Sequence, residues 1–534
     1  MVDSPPSPKT SLPNIGRASA IMVASLFLSR VLGIVREMII SWKFGQDIYT
    51  DSYRLAFVVP DLLFYLIAGG ALSSAFIPVF SEYFHTDRER DAWKVFSVVA
   101  TTMTIVVGIF VVLTWIFTDP IAAKVAGEKG PEAAHLIGLM SRVLVPAQFA
   151  FLVGGLMVGT LYARQVFTVP GLSPNIYNLG IIVGALVLSS FFSPGVIGMT
   201  WGALIGALLG SFVVPFFVMR KLGSHFTPSL DFSHEGVRKV FRLMAPVVFG
   251  LSLAGVFPVI LRLFGSQYPE QGVNSALENA NQLMQAPLGV FGQSLALAAF
   301  PALSQFFAQE KMDMFRDQLV QTLRTVLYLS VPVSVLMMVV PGQVIKAVFQ
   351  YGKFGQVATD RTAACLSMYA IGIAAWCMQP LLMRAFFAVQ EAIIPVILGT
   401  LTTALFFVLC FGATKSGMTY TALPLACSIS AFALVILLSI ALNKRLGPLD
   451  FAGLGTTLLK SVGSALVAGL ILYGGTFLLP HTASVAGRGI HVLITFSMCL
   501  LFGWAYFWMT TRLGMPESAV ISRALKKLNR KTAA

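Results

Sequence analysis

The chain has 534 residues, 56% of them hydrophobic and only 11% charged, with a formal net charge of +14. Soluble globular domains carry roughly 25% charged residues, so with a mean hydropathy of +0.80 the sequence excludes a water-soluble enzyme and indicates an all-α integral membrane protein. The basic balance fits Lys/Arg gathered in cytoplasmic loops and gives no reason to expect a nucleic-acid partner.

Residues 1–16 are polar and Pro-rich without a signal-peptide cleavage pattern and are expected to form a disordered cytoplasmic tail. Crossing about 30 Å of hydrocarbon takes roughly 20 apolar residues. Fourteen stretches qualify, at about 18–44, 51–82, 93–118, 134–163, 169–192, 196–220, 237–265, 273–308, 319–345, 361–389, 393–413, 419–443, 456–479 and 488–511. With the N-terminus inside, DRERDAWK, VRKVFR, NKRLG and RALKKLNRK fall on one side, while AGEKGPEA, GSQYPEQG and TKSG, poorer in Lys/Arg, fall on the other. That bias puts both termini in the cytoplasm.

A charge at the bilayer centre costs about 3 kcal/mol or more, so charged residues inside these spans need a reason. In span 1, Arg30, Gly33, Ile34 and Glu37 share one helical stripe, with Arg36 about 120° away. Either the stripe is an Arg–Glu lock or it is an inward cationic surface, and arginine suits phosphate because its planar fork pairs two oxygens and keeps its charge. Span 2 opens with Asp51 and Arg54, three apart and able to pair; Asp61 follows Pro60, and Gly69 and Gly70 loosen the rest. Asp61 is either a cation or proton site or an arginine partner. Arg142 lies in span 4, and Asn175 and Asn178 in span 5. Arg262 (span 7) and Arg384 (span 10) fall near span ends, where they can snorkel to the interface. In span 8, Asn274, Glu278, Asn281, Gln282 and Gln285 recur on one helical face that Gly289 and Gly292 continue; such a stripe should face a cavity or another helix. The five cysteines lie singly in apolar segments and the six histidines form no metal spacing, so neither a metal nor a cofactor is expected.

The chain also repeats itself. PVFSEYF at 78–84 matches PALSQFF at 301–307, and LYARQVFTVP ending at Pro170 matches FFAVQEAIIP ending at Pro395. The offsets, 223 and 225, span six helices, an even number, so the copies point the same way. This implies two six-helix lobes related by a pseudo-twofold axis along the membrane normal, with a substrate site between them, plus two extra C-terminal helices. The expected divisions are an N-lobe over 17–230, a C-lobe over 231–450, spans 13 and 14 over 451–515, and a basic cytoplasmic tail over 516–534.

SRVLGIVRE, then KFG and TDSYRLAFVVPDLL, then GGALSSAFIPVFSEY resemble the N-terminal signature of the MurJ/MviN family of lipid II flippases, within the multidrug/oligosaccharidyl-lipid/polysaccharide exporter superfamily. FQYGKF, NQLMQAPLGVFG and RAFFAVQEAIIPV are similar to later family segments, so the resemblance runs from about residue 17 to 512. It implies a V-shaped cationic cavity, alternating access, and a groove at spans 13 and 14 for a polyprenyl tail. Arg30, Arg36 and Asp51 match family positions treated as functional, and Glu37 stands where the motif carries an acid. The chain departs from the pattern at Phe64 and Tyr65, where paired arginines are common, at Gly69, where an acid is common, and at Asn281, Gln282 and Gln285, where an Asp-Arg pair and a Glu occur. The resemblance therefore directs substrate binding to Arg30, Arg36, Arg54, Arg142, Asn281, Gln282 and Gln285. Charge pairing or ion coupling falls to Glu37, Asp51, Asp61 and Glu278.

The expected activity is transport without covalent chemistry, moving the undecaprenyl-pyrophosphate-linked peptidoglycan precursor lipid II from the inner to the outer leaflet. Partners would be lipid II, membrane lipid and cell-wall synthesis or division proteins; the membrane potential, H+ and Na+ are all open as energy sources. The competing readings are an exporter of another polyprenyl-linked oligosaccharide and a cation-coupled drug antiporter, which the arginine excess disfavours. A membrane enzyme acting on lipid phosphates is disfavoured too, because the largest cytoplasmic loop, 220–242, offers only Asp231 and Glu235 as acids.

Overall fold

Backbone polar groups in hydrocarbon must bond within the chain, which leaves a helix as the solution for an open segment. The computed structural model describes residues 15–67, 71–86, 88–244, 256–476 and 485–519, and among them the chain is helical with no strand. Eleven helical runs are long and apolar enough to cross a membrane: Glu89–Ile116, Thr118–Ala163, Thr168–Phe191, Val196–Lys221, Val273–Ala308, Met312–Val339, Gln356–Ala388, Ile393–Lys415, Ala422–Leu446, Phe451–Gly474 and Val492–Arg512. They coincide with predicted spans 3 to 6 and 8 to 14. Span 1 is a 30-residue helix, Ile15–Phe44. Part of span 7, the Gly69–Gly70 pair and most of both tails lie outside the described residues.

Span 2 is not one rod. It is interrupted at Phe57, between Ile48–Ala56 and Val58–Ile67, and helical again over Ala71–His85, residues 68–70 lying outside the described residues. The first piece starts earlier than expected because Asp47 caps it: its carboxylate accepts the Thr50 N–H at 2.9 Å, while Thr50 Oγ1 accepts the Asp47 N–H at 3.0 Å. The break follows Ala56 because Pro60 lacks an N–H and its ring collides with the carbonyl four residues back.

The repeat read from the sequence is present in the backbone. Helices Glu89–Ile116 and Met312–Val339 both have 28 residues and begin at positions 223 apart. Pro78 and Pro301 each lie inside a 15-residue helix, Ala71–His85 and Ser294–Ala308. At the second match the two helices stop alike. The Val166 N–H donates to Leu161 C=O at 2.8 Å and the Glu391 N–H to Phe386 C=O at 2.9 Å. Gln165 and Gln390 are both left-handed, with φ of 58° and 59°, which is the usual way to close a helix end with a six-to-one bond.

The chain divides into two units, one of Met1–Ile39, Leu66–Thr118 and Met140–Val248, the other of Ile40–Tyr65, Asp119–Leu139 and Phe249–Ala534. In the first, the rings of Phe76, Phe80, Trp93 and Phe96 form the centre of the core. Helices Thr168–Leu186 and Val196–Ala207 approach so closely that a Cβ on Gly180 would stand 2.5 Å from Gly206 Cα, and one on Gly202 would stand 2.4 Å from Gly180 O. Small residues four apart permit this contact in lipid, where no hydrophobic force joins helices. In the second unit, Phe451–Thr476 and Val485–Arg512 pack on Met312–Val339. There Tyr506 Oη donates to Tyr328 C=O at 2.8 Å, and Tyr328 Oη meets Thr510 Oγ1 at 3.0 Å.

Gly202→Leu should lower stability by about 1–3 kcal/mol through overpacking, read as an earlier thermal unfolding transition in detergent. Gly108→Leu is the control, since a Cβ there meets nothing within 4 Å; equal transitions for the two variants would refute the packing account.

Candidate functional site

Three clusters of buried ionic groups from the predicted spans and their ends stand out among the described residues, one in the first unit and two in the second. In the first unit, Arg36 folds back on its neighbour: Nε and Nη2 donate to Glu37 Oε1 at 3.0 and 2.7 Å. Its Nη1 donates to Asn178 Oδ1 at 3.0 Å, and Asn178 Nδ2 in turn donates to Ser29 C=O at 3.3 Å. Glu37 is fully buried and Arg36 half-buried, so the guanidinium is held in one orientation by an acid and an amide. Asn175 makes the matching bond one turn earlier, to Ser25 C=O at 3.3 Å. Arg30 and Arg142 are exposed, and the Arg142 C=O accepts from Trp115 Nε1 at 3.1 Å.

In the second unit, Asp51 is 1% exposed and acts as a cap for another helix. Its carboxylate accepts the N–H groups of Gly272 and Ser275 at 2.8 and 2.9 Å and the Ser275 hydroxyl at 3.0 Å. These belong to the start of Val273–Pro287, where orphan N–H groups and the positive dipole end favour an anion. Lys129 Nζ closes the cluster at 3.1 Å from Asp51 and also donates to Glu270 C=O. Lys129 was not among the residues singled out in the sequence, because AGEKGPEA reads as an outward loop. Arg54 is buried against the Tyr53 ring, 5.9 Å from its centroid.

The third cluster joins three helices. Arg262 Nη1 lies 2.5 Å from Asp61 Oδ2, and its Nη2 lies 3.8 Å from Glu278 Oε2. Sequence reading gave Arg262 little weight near a span end; its partners lie 201 and 16 residues away in the chain, and no local pattern announces them. Glu278, Asn281 and Gln285 then line a cavity of about 350 Å3 with Phe257, Tyr369 and Trp376. The polar face expected of span 8 thus opens on a cavity, with Gln282 half-buried beside it. Asn274 of the same stripe is buried, its Oδ1 where a Cβ on Gly265 would be 2.5 Å away. The helix carrying the stripe passes through a π turn at Leu288–Gln293, and Arg384 Nη1 donates to the Gln293 C=O there at 3.2 Å. Such turns free carbonyls and often mark functional positions.

The model of the family described as Lipid II flippase MurJ matches residues 40–496. The chain belongs to this family. A MurJ relative from Burkholderia cenocepacia, named "Lipid II flippase MurJ", is 27% identical over 394 residues, 72% of this chain and 75% of the relative. One from Buchnera aphidicola of Acyrthosiphon pisum, named "Probable lipid II flippase MurJ", is 29% identical over 371 residues, 69% of this chain and 72% of that one. Among solved structures, a MurJ lipid II flippase in an inward closed conformation has the same fold, with a TM-score of 0.75 at 22% identity over 91% of this chain and 99% of that one. An inward-facing multidrug transporter of the MATE family shares it with a TM-score of 0.64 at 14% identity, over 82% and 99% of the two chains.

The match covers the Asp51 and Asp61 clusters of this MurJ-family chain and begins after Arg30 and Arg36. For the Asp61 cluster, removing the shared cation should be the most harmful change. Arg262→Met leaves two carboxylates without their guanidinium and should cost about 3–5 kcal/mol. Asp61→Asn combined with Arg262→Met should recover part of that loss in thermal unfolding; if the double variant is as unstable as the sum of the single ones, the pair is not coupled.

Proposed function

We propose that the chain is a transporter, not an enzyme, which moves the undecaprenyl-pyrophosphate-linked peptidoglycan precursor lipid II from the inner to the outer leaflet of the cytoplasmic membrane by alternating access. The observation that carries this reading is the lipid II flippase MurJ match over residues 40–496. In this proposal the fourteen predicted spans form two six-helix lobes, 17–230 and 231–450, with both termini cytoplasmic and residues 451–515 lodging the polyprenyl tail. The internal repeat and the neighbouring fold of the MATE transporter support that arrangement.

Arg30 and Arg36 are the proposed first contacts of the pyrophosphate. Glu37 and Asn178 hold three of the Arg36 donors, so little ordering remains to be done when the anion arrives, and a pre-ordered site binds more tightly. Arg54 and Arg142 are the proposed further contacts of the pyrophosphate, and Asn281, Gln282 and Gln285 those of the uncharged part of the substrate, while Glu37, Asp51, Asp61 and Glu278 neutralise charge or couple an ion. No ATP is required in principle: one negative charge moving outward across 100 mV, inside negative, yields about 2.3 kcal/mol. The substrate or ion must still bind the two access states unequally, or it shifts nothing.

Complementation of a bacterium depleted of its lipid II flippase tests the reading, with externally accessible lipid II as readout. The intact chain should restore growth, and Arg30→Ala and Arg36→Ala should each cut accessible lipid II at least tenfold at equal expression. Rescue untouched by either substitution removes the span 1 site. Absence of rescue by the intact, well-expressed chain favours export of another polyprenyl-linked oligosaccharide, which the amides at Asn281, Gln282 and Gln285 would suit.

A further inference from the structure

The cavity inside the second unit has a character opposite to that of an anion site. Two carboxylates, Asp61 and Glu278, share one guanidinium, and Arg262 stands 2.5 Å from Asp61 but 3.8 Å from Glu278. With both acids ionised, one negative charge is in excess, and it lies on the carboxylate that lines the cavity. Tyr369, Trp376 and Ser430 belong to the lining of the same cavity, but the Tyr369 and Ser430 oxygens and the Trp376 indole N–H are enclosed by the packing and do not open on it. The neighbouring Thr402 and Thr403 hydroxyls are already satisfied by backbone carbonyls of their own helix.

We propose that this cavity is a binding site for a small amphipathic organic cation, with Glu278 as its counter-charge and Tyr369, Trp376 and Phe257 as its aromatic walls. Phe257 stands edge-on to Trp376 with centroids 5.9 Å apart and stacks on Phe406 at 3.9 Å, so the wall is braced from behind. Aromatic faces and a carboxylate both attract a monovalent cation, and the amide oxygens of Asn281 and Gln285, which line the cavity and are not buried, can accept its N–H groups. A cavity of about 350 Å3 falls in the range that holds drug-sized ligands, which are taken by mostly apolar walls with a few convergent polar groups. An inorganic multivalent ion is the poorer fit, since no group of three His, Cys, Asp or Glu occurs among the described residues. An anion is the poorer fit as well, because the adjacent guanidinium is held by Asp61. The site rests on this geometry alone and stands or falls apart from lipid II transport.

The test uses the full chain in an uncharged detergent, with ethidium as the monovalent aromatic cation and neutral phenanthridine as its uncharged counterpart. Ethidium fluorescence should report saturable binding of one molecule per chain. Glu278→Gln should weaken it at least tenfold. Gly399→Phe should abolish it, because Gly399 lines the cavity and a Cβ there meets nothing within 4 Å, leaving room for the ring to fill the space. Thermal unfolding identifies any variant that has failed to fold, and phenanthridine, which should bind at least tenfold more weakly than ethidium, tests the charge on the unmodified chain. Absence of saturable binding, equal affinity for the two probes, or unchanged affinity in both folded variants would each overturn the proposal.

Discussion

A bilayer offers no water to a charge, so an ionic side chain buried among its helices is stabilised by pairing with another part of the chain, and such pairings tie the helices together. Asp51 shows how much one such group does. It satisfies two N–H groups at the start of Val273–Pro287 and holds the buried Lys129, so three separate segments of the second unit meet on one carboxylate. The Arg36–Glu37–Asn178 group does the same in the first unit, tying Ile15–Phe44 to Thr168–Leu186. The Asp61–Arg262–Glu278 group is different in kind, because two carboxyl groups share one guanidinium beside a cavity, and the proposed cation is the partner of the second.

The second constraint is the backbone ladder, which the chain interrupts at chosen places. Pro60 ends one short helix and begins another, Pro78 and Pro301 sit inside helices at equivalent places of the repeat, and Leu288–Gln293 widens into a π turn. Breaks of this sort in a membrane are tolerated where neighbouring groups take over the freed carbonyls, as Arg384 does for Gln293. They supply hinge-like points at which a helix can bend without losing its bonds, which an alternating-access cycle requires.

Much of the fold was legible in the sequence because long apolar runs and their charge-rich connections are local signals. Spans 3 to 6 and 8 to 14 needed nothing more. The repeat was legible too, although two short matches underestimate it: helices of equal length recur 223 residues apart. The break of span 2 at Phe57 is not legible as such, since hydrophobicity runs across Pro60 and hides it. At the site, the polar stripe of span 8 is legible as a face that meets a cavity or another helix, because periodicity is local, and it does both: Glu278, Asn281 and Gln285 line the cavity while Asn274 is buried against Gly265. Arg262 and Lys129 were undervalued because their meaning lies in partners far along the chain, and a lysine in a short loop looks like an ordinary exposed charge. The close glycine contact of Gly180, Gly184, Gly202 and Gly206 left only a faint four-residue spacing.

The central claim, that this chain carries a lipid-linked pyrophosphate across the bilayer, is most directly measured in proteoliposomes containing the purified protein and lipid II. Inner-leaflet lipid II should become accessible to an externally added, membrane-impermeant modifying enzyme, faster than in protein-free vesicles and faster still under an inside-negative potential. Accessibility no faster than in protein-free vesicles, with the protein shown to be folded, would contradict the account.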